Sequence, residues 1–194
     1  HINFAPVTDI NTNPNNPIIG SRSFGEDKIN VTLKSLAYLK GMQSEGIMGS
    51  AKHFPGHGDT STDSHKTLPS IDFSAKRINN VELYPYKELI KNQLSGVMVA
   101  HMEVPSLEKT PKLPSTLSKN IITKLLKNKL KFEGLIITDA MDMKGVVDFN
   151  KDESADVNAL LAGNDVLLMP DDLDESTKSI KKALKNGIIS EKRL

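Results

Sequence analysis

Lys52, His53, His57, Asp59, Asp63 and His65 fall within fourteen positions, interrupted by Pro55, Gly56 and Gly58. Proline and glycine deny this stretch a helix, so it reads as a loop. His53 and His57 stand four apart, the spacing that puts two zinc ligands on one helical face, but that face needs the missing helix. A site built from His53, His57 and His65 is therefore one reading, and loop polar residues satisfied by backbone are another. A third is proton transfer by Asp63 and His65, which are close enough to pair. A carboxylate bonded to one imidazole nitrogen fixes the tautomer and leaves the other nitrogen to give or take a proton near neutral pH. Asp139 ends the apolar run GLIIT and is either a nucleophile at a strand end or the cap of a following helix over MDMKGVV. Asp142 points elsewhere and is the better candidate for capping or solvent.

Five short apolar runs must position these groups: residues 2–9, 46–54, 96–103, 134–140 and 164–170. Each is nearly continuously hydrophobic, as strands of a parallel sheet covered on both faces are. Between them lie helical patterns over residues 28–45, 80–94, 118–130, 153–163 and 174–187, with Ser118 as an expected N-cap and Gly163 and Gly187 at expected helix ends. The alternation indicates an α/β fold, either an open doubly wound sheet or a closed (β/α)8 TIM-type barrel. No Gly-rich phosphate loop follows any strand, whereas Asp9, Lys52 with His53, His101 and Asp139 stand at four consecutive strand ends. Polar groups on several strand ends suit a barrel mouth. A full barrel takes about 250 residues, so with 194 the chain reads as one domain over residues 1–194, N-terminally truncated by the first strands.

The formal net charge is +1, and the lysines of residues 127–131 and 178–185 carry no interleaved aromatics, so a nucleic-acid partner is not expected. No apolar run approaches the ~20 residues that span a bilayer. Cysteine is absent, which excludes disulfides and cysteine nucleophiles but leaves localisation open between cell envelope and cytoplasm.

The stretch AKHFPGHGDTSTDSH, together with FAPVTDI, NPIIGSRSFG, LIITDAMDM and AGNDVLLMP, resembles the catalytic domain of glycoside hydrolase family 3, in its β-N-acetylglucosaminidase branch. The resemblance implies a retaining exo-glycosidase in which Asp139 attacks the anomeric carbon, His65 is the acid/base and Asp63 orients and charges its ring. It further implies that Lys52, His53 and Arg22 contact the sugar, that the substrate is a peptidoglycan fragment, and that a monomer works without cofactor or metal. Relative to that family the first strands, with an acidic sugar-binding segment, and a C-terminal domain are absent. Phosphorolysis by the same residues is the near alternative. A metal-dependent hydrolase and a non-catalytic sugar-binding barrel are the alternatives from other classes. By position Asp9, His101 and Met143 also line the mouth, with structural readings as a turn former, a hydrogen-bonded support and packing; His57 and Asp59 are read as shaping the loop.

Overall fold

The computed structural model of the chain describes residues 1–61, 67–147, 149 and 154–194. Each of the five apolar runs contains a strand: β1 (Ile2–Asn3), β2 (Met48–Phe54), β3 (Gly96–Val99), β4 (Leu135–Ala140) and β5 (Val166–Leu168). They form one parallel sheet in the order β1-β2-β3-β4-β5. An open doubly wound sheet reverses its strand order at a switch point, while a barrel wall adds each strand beside the last. The unreversed order selects the barrel wall, a distinction that hydrophobic pattern alone leaves open.

Helices cover the outer face. Helix α1 (Lys28–Ser44) starts at Asp27, whose side chain accepts the Asn30 N–H, and turns Val31, Ser35 and Leu39 inward at intervals of four. The expected helix over residues 80–94 is shorter, because Pro85 lacks an N–H and is tolerated only in a first turn; α3 accordingly runs Tyr84–Lys91. A separate six-residue helix, α2 (Ala75–Asn80), precedes it under a Ser74 cap. Residues Asn120–Lys129 form a wide helix with five-residue bonding, Leu130 N–H reaching Leu125 O at 2.9 Å. Ser118 heads it as expected, its Oγ accepting from Ile121 N at 3.2 Å. Helices α4 (Lys144–Val147), α5 (Ala155–Ala162) and α6 (Leu173–Lys185) complete the order, and Gly163 and Gly187 end the last two at positive φ of 122° and 72°.

The core lies between sheet and helices. Phe54 and Val97 meet Leu39, Tyr86, Ile121 and Leu126, all of them buried. Phe54 and Tyr86 pack edge to face with ring centroids 5.0 Å apart. This apolar layer grips the strands from outside and leaves their C-terminal ends free for polar groups.

The loop after β2 passes directly over the segment after β1. A Cβ on Gly58 would lie 2.0 Å from Ile10 O and 2.4 Å from Ile10 C, which are backbone atoms with little room to retreat. Gly58→Ala is therefore expected to destabilise the fold by about 2 kcal/mol or more, a drop of several degrees in Tm by thermal unfolding. An unchanged Tm would mean the two segments do not touch.

Candidate active site

Four strand ends supply the site. Lys52 and His53 lie at the C-terminal end of β2, Asp139 at the end of β4, and His101 two residues past β3, while Asp9 lies on the segment that continues from β1. That segment stays beside β2: Lys52 N donates to Pro6 O at 3.1 Å, and Thr8 N donates to Lys52 O at 2.7 Å.

Asp9 is 1% exposed and accepts four contacts. His53 N lies 3.2 Å from each of its oxygens, His53 Nδ1 lies 2.6 Å from Oδ2, and His57 N lies 2.6 Å from Oδ1. Burial alone would raise this carboxyl, but His53, hydrogen-bonded to it through the ring, and His57 behind it hold it below its ordinary 3.8. Asp9 is therefore not the turn former expected from sequence. Its partners lie 44 to 48 residues away, and that distance is what hides the role from a local reading.

Arg22 arrives from a different direction. It closes the short turn Gly20–Arg22, and its Nη2 stands 3.4 Å from His53 Nε2. Asn16 builds that approach: its Oδ1 accepts from Ile18 N and Ile19 N at 2.9 and 2.8 Å, while its Nδ2 donates to His57 O at 2.8 Å. One buried asparagine thus ties the arginine-bearing turn to the loop after β2. Lys52 is half-buried; burial and then the Arg22 charge lower its ammonium pKa, against the pull of Asp139 and Asp9. Lys52, Arg22 and Asp139 accordingly share one electrostatic neighbourhood. The Asp139 carboxylate accepts the N–H of Ala140 at 2.9 Å and caps no helix, since α4 begins only at Lys144.

His101 is fully buried beneath Asp139 and braces the strand end. Its Nε2 lies 2.9 Å from Ala140 O and its Nδ1 2.7 Å from Thr116 Oγ1. A carbonyl only accepts, so Nε2 donates to Ala140 O, while the Thr116 hydroxyl beside Nδ1 donates to Ala100 O at 2.9 Å. The supporting role expected for His101 holds, and so does packing for Met143, which is 7% exposed. Asp142 is exposed, in keeping with a solvent-facing role.

Burial pushes both His101 and His57 below their ordinary 6.5, against the opposing charges of Asp139 and Asp9 respectively. The unfolded chain thus binds these protons first as pH drops through about 6.5, so the folded state loses stability on acidification. The loss is at most about 1.4 kcal/mol per pH unit for each ring. Thermal melts between pH 7.5 and 5.5 should show Tm falling, less steeply in His101→Gln. An identical fall in that variant would assign the titration to other groups.

Asp63 and His65 lie outside the described residues. Among the described residues no group of three or more His, Asp or Glu could hold a metal ion, and no helix is long and apolar enough to cross a membrane. Asp9 already occupies Nδ1 of His53, and the positive charge of Arg22 beside Nε2 repels a cation there.

The family described as Glycosyl hydrolase family 3 N terminal domain matches residues 1–194. The chain belongs to glycoside hydrolase family 3. Beta-hexosaminidase A of Pseudoalteromonas piscicida is 41% identical over 180 residues, which are 88% of this chain and 30% of that protein. A family 3 beta-N-acetylglucosaminidase from Paenibacillus sp. str. FPU-7 superposes with a TM-score of 0.95 at 37% identity, over 100% of this chain and 37% of that one. Beta-glucoside phosphorylase BglX superposes equally well, TM-score 0.95 at 28% identity, over 99% of this chain and 36% of that one. The chain spans between 30% and half of the length of the curated relatives it matches. Its α/β fold with a parallel barrel wall is the family 3 barrel architecture expected from sequence.

Proposed function

We propose that the protein is a retaining exo-β-N-acetylglucosaminidase that removes terminal β-linked N-acetylglucosamine, with peptidoglycan fragments as its natural substrates. The observation that carries this reading is the convergence of Arg22, Lys52 and His53 beside Asp139 at the C-terminal edge of one parallel sheet. The kinship to a beta-hexosaminidase and a beta-N-acetylglucosaminidase supports the choice of sugar.

In this reading Lys52, His53 and Arg22 hold the hydroxyls of the non-reducing sugar, using donors and acceptors fixed on rigid elements. The Asp139 carboxylate attacks the anomeric carbon, forming a glycosyl ester as the glycosidic bond breaks. His65 donates its proton to the departing oxygen. It then takes a proton from the water that attacks the same carbon, which frees Asp139 and restores the original anomeric configuration. Asp63 orients the ring and stabilises its cation. The usual retaining arrangement uses two carboxylates about 5 Å apart. In an Asp-His pair the group that faces the aglycone is an imidazole instead of a carboxylate, so an aglycone bearing a carboxylate, as muramic acid does, meets less repulsion close by.

The likeness to a beta-glucoside phosphorylase favours a second reading, in which phosphate replaces water as the acceptor in the second step. Incubating the protein with an aryl N-acetyl-β-glucosaminide, with and without phosphate, separates the two. Free N-acetylglucosamine of retained configuration, at a rate indifferent to phosphate, is the expected product. A sugar 1-phosphate would overturn hydrolysis, and loss of turnover with a chelator followed by its return with zinc would overturn the covalent route.

A further inference from the structure

We propose that Asp9 is a positioning residue for sugar recognition: its carboxylate fixes the His53 ring with the proton on Nδ1, so that Nε2 presents a lone pair to the substrate. The proposal rests on the reading of His53 and Arg22 as sugar contacts. A carboxylate can only accept, so the Nδ1 to Oδ2 contact of 2.6 Å requires a proton on Nδ1. The other nitrogen faces Arg22 Nη2 at 3.4 Å, and a guanidinium can only donate. Both neighbours therefore select the same tautomer. The Asp9 side is shielded from water, with side-chain exposures of 0% for Asp9 and 7% for His53, so little solvent competes for the contact between them. A sugar hydroxyl at Nε2 would donate to the ring and accept from Arg22, satisfying both of its roles at once.

The two carboxylate oxygens divide the work. Oδ1 takes the His57 N–H at 2.6 Å and anchors the loop, while Oδ2 takes the ring. Asp9→Asn separates these tasks. With its carbonyl oxygen on His57 the amide keeps the anchor, and its NH2 group falls where Oδ2 was. That NH2 now donates to His53 Nδ1, the ring proton moves to Nε2, and Nε2–H meets the Arg22 donors head on.

Long-range proton to nitrogen-15 correlation spectra read the tautomer of each histidine directly, with His53 assigned by its disappearance in His53→Gln. The wild-type chain should show His53 protonated on Nδ1 and bare on Nε2; the reverse overturns the proposal without any variant having to fold. Asp9→Asn should show the opposite tautomer, with KM for an aryl N-acetyl-β-glucosaminide raised about 10- to 100-fold and kcat changed much less. A retained Nδ1 proton in Asp9→Asn overturns the role of Asp9 and leaves the sugar-site reading intact. A switched tautomer with unchanged KM overturns the sugar-positioning role and, with it, the assignment of His53 as a sugar contact.

Discussion

Asp139→Asn is expected to lower kcat for N-acetyl-β-glucosaminide cleavage by about 10,000-fold, equivalent to roughly 5.5 kcal/mol of transition-state stabilisation. The amide matches the carboxylate in shape and its oxygen can still accept the Ala140 N–H, which the native side chain does at 2.9 Å. The fold should therefore survive, with a Tm within a few degrees of wild type, so the loss reports chemistry. What disappears is the nucleophile: a neutral amide cannot form the glycosyl ester, and the charge that offsets the developing positive sugar goes with it. Substrate affinity, set largely by Lys52, His53 and Arg22 in this account, should change little. Full activity in Asp139→Asn would remove Asp139 from the reaction.

His65→Ala is expected to separate substrates by leaving group. For alkyl and sugar aglycones, which need a proton to depart, glycosylation should slow by about 100- to 10,000-fold. For a dinitrophenyl aglycone, which leaves unaided, that step should be nearly unchanged. Water must still be activated in the second step, so a burst of released phenol followed by slow turnover is the expected trace. Equal loss across leaving groups would count against an acid role for His65.

Much of the scaffold is legible in the sequence because short buried parallel strands are written locally, as runs such as GVMV and LIIT. Whether those strands close around a mouth or spread into an open sheet is not local. It depends on which strand each one pairs with, and only the unreversed order from β1 to β5 decides it. Helix boundaries slipped where a backbone constraint overrode periodicity, as when Pro85 started α3 four residues later than the apolar pattern implied. The wide helix Asn120–Lys129 has the apolar spacing of an ordinary one, which is why its five-residue bonding goes unread.

The site divides in the same way. Arg22 Nη2 stands 3.4 Å from His53 Nε2, a meeting of residues 31 positions apart that no local pattern shows. The role of Asp9 is not legible locally, because the meaning of a buried carboxylate lies in its partners, and these come from the next strand end. A signal was nonetheless present: Asp9 ends an apolar strand run, as Lys52 and Asp139 do. For His101 the structure favours the supporting reading over the mouth-lining one, since a histidine two residues after a buried strand has few places to satisfy its nitrogens other than the neighbouring strand end.

The claim on which everything turns is a covalent bond from the sugar to Asp139. An N-acetyl-5-fluoroglucosaminyl fluoride carries a good leaving group and a fluorine that slows both steps, so the glycosyl-enzyme should accumulate when the protein is treated with it. Peptide mass spectrometry should then find one N-acetyl-5-fluoroglucosaminyl unit on the peptide containing Asp139, with fragmentation assigning it to that side chain. Turnover of the reagent without any adduct, or an adduct on another residue, would contradict the account.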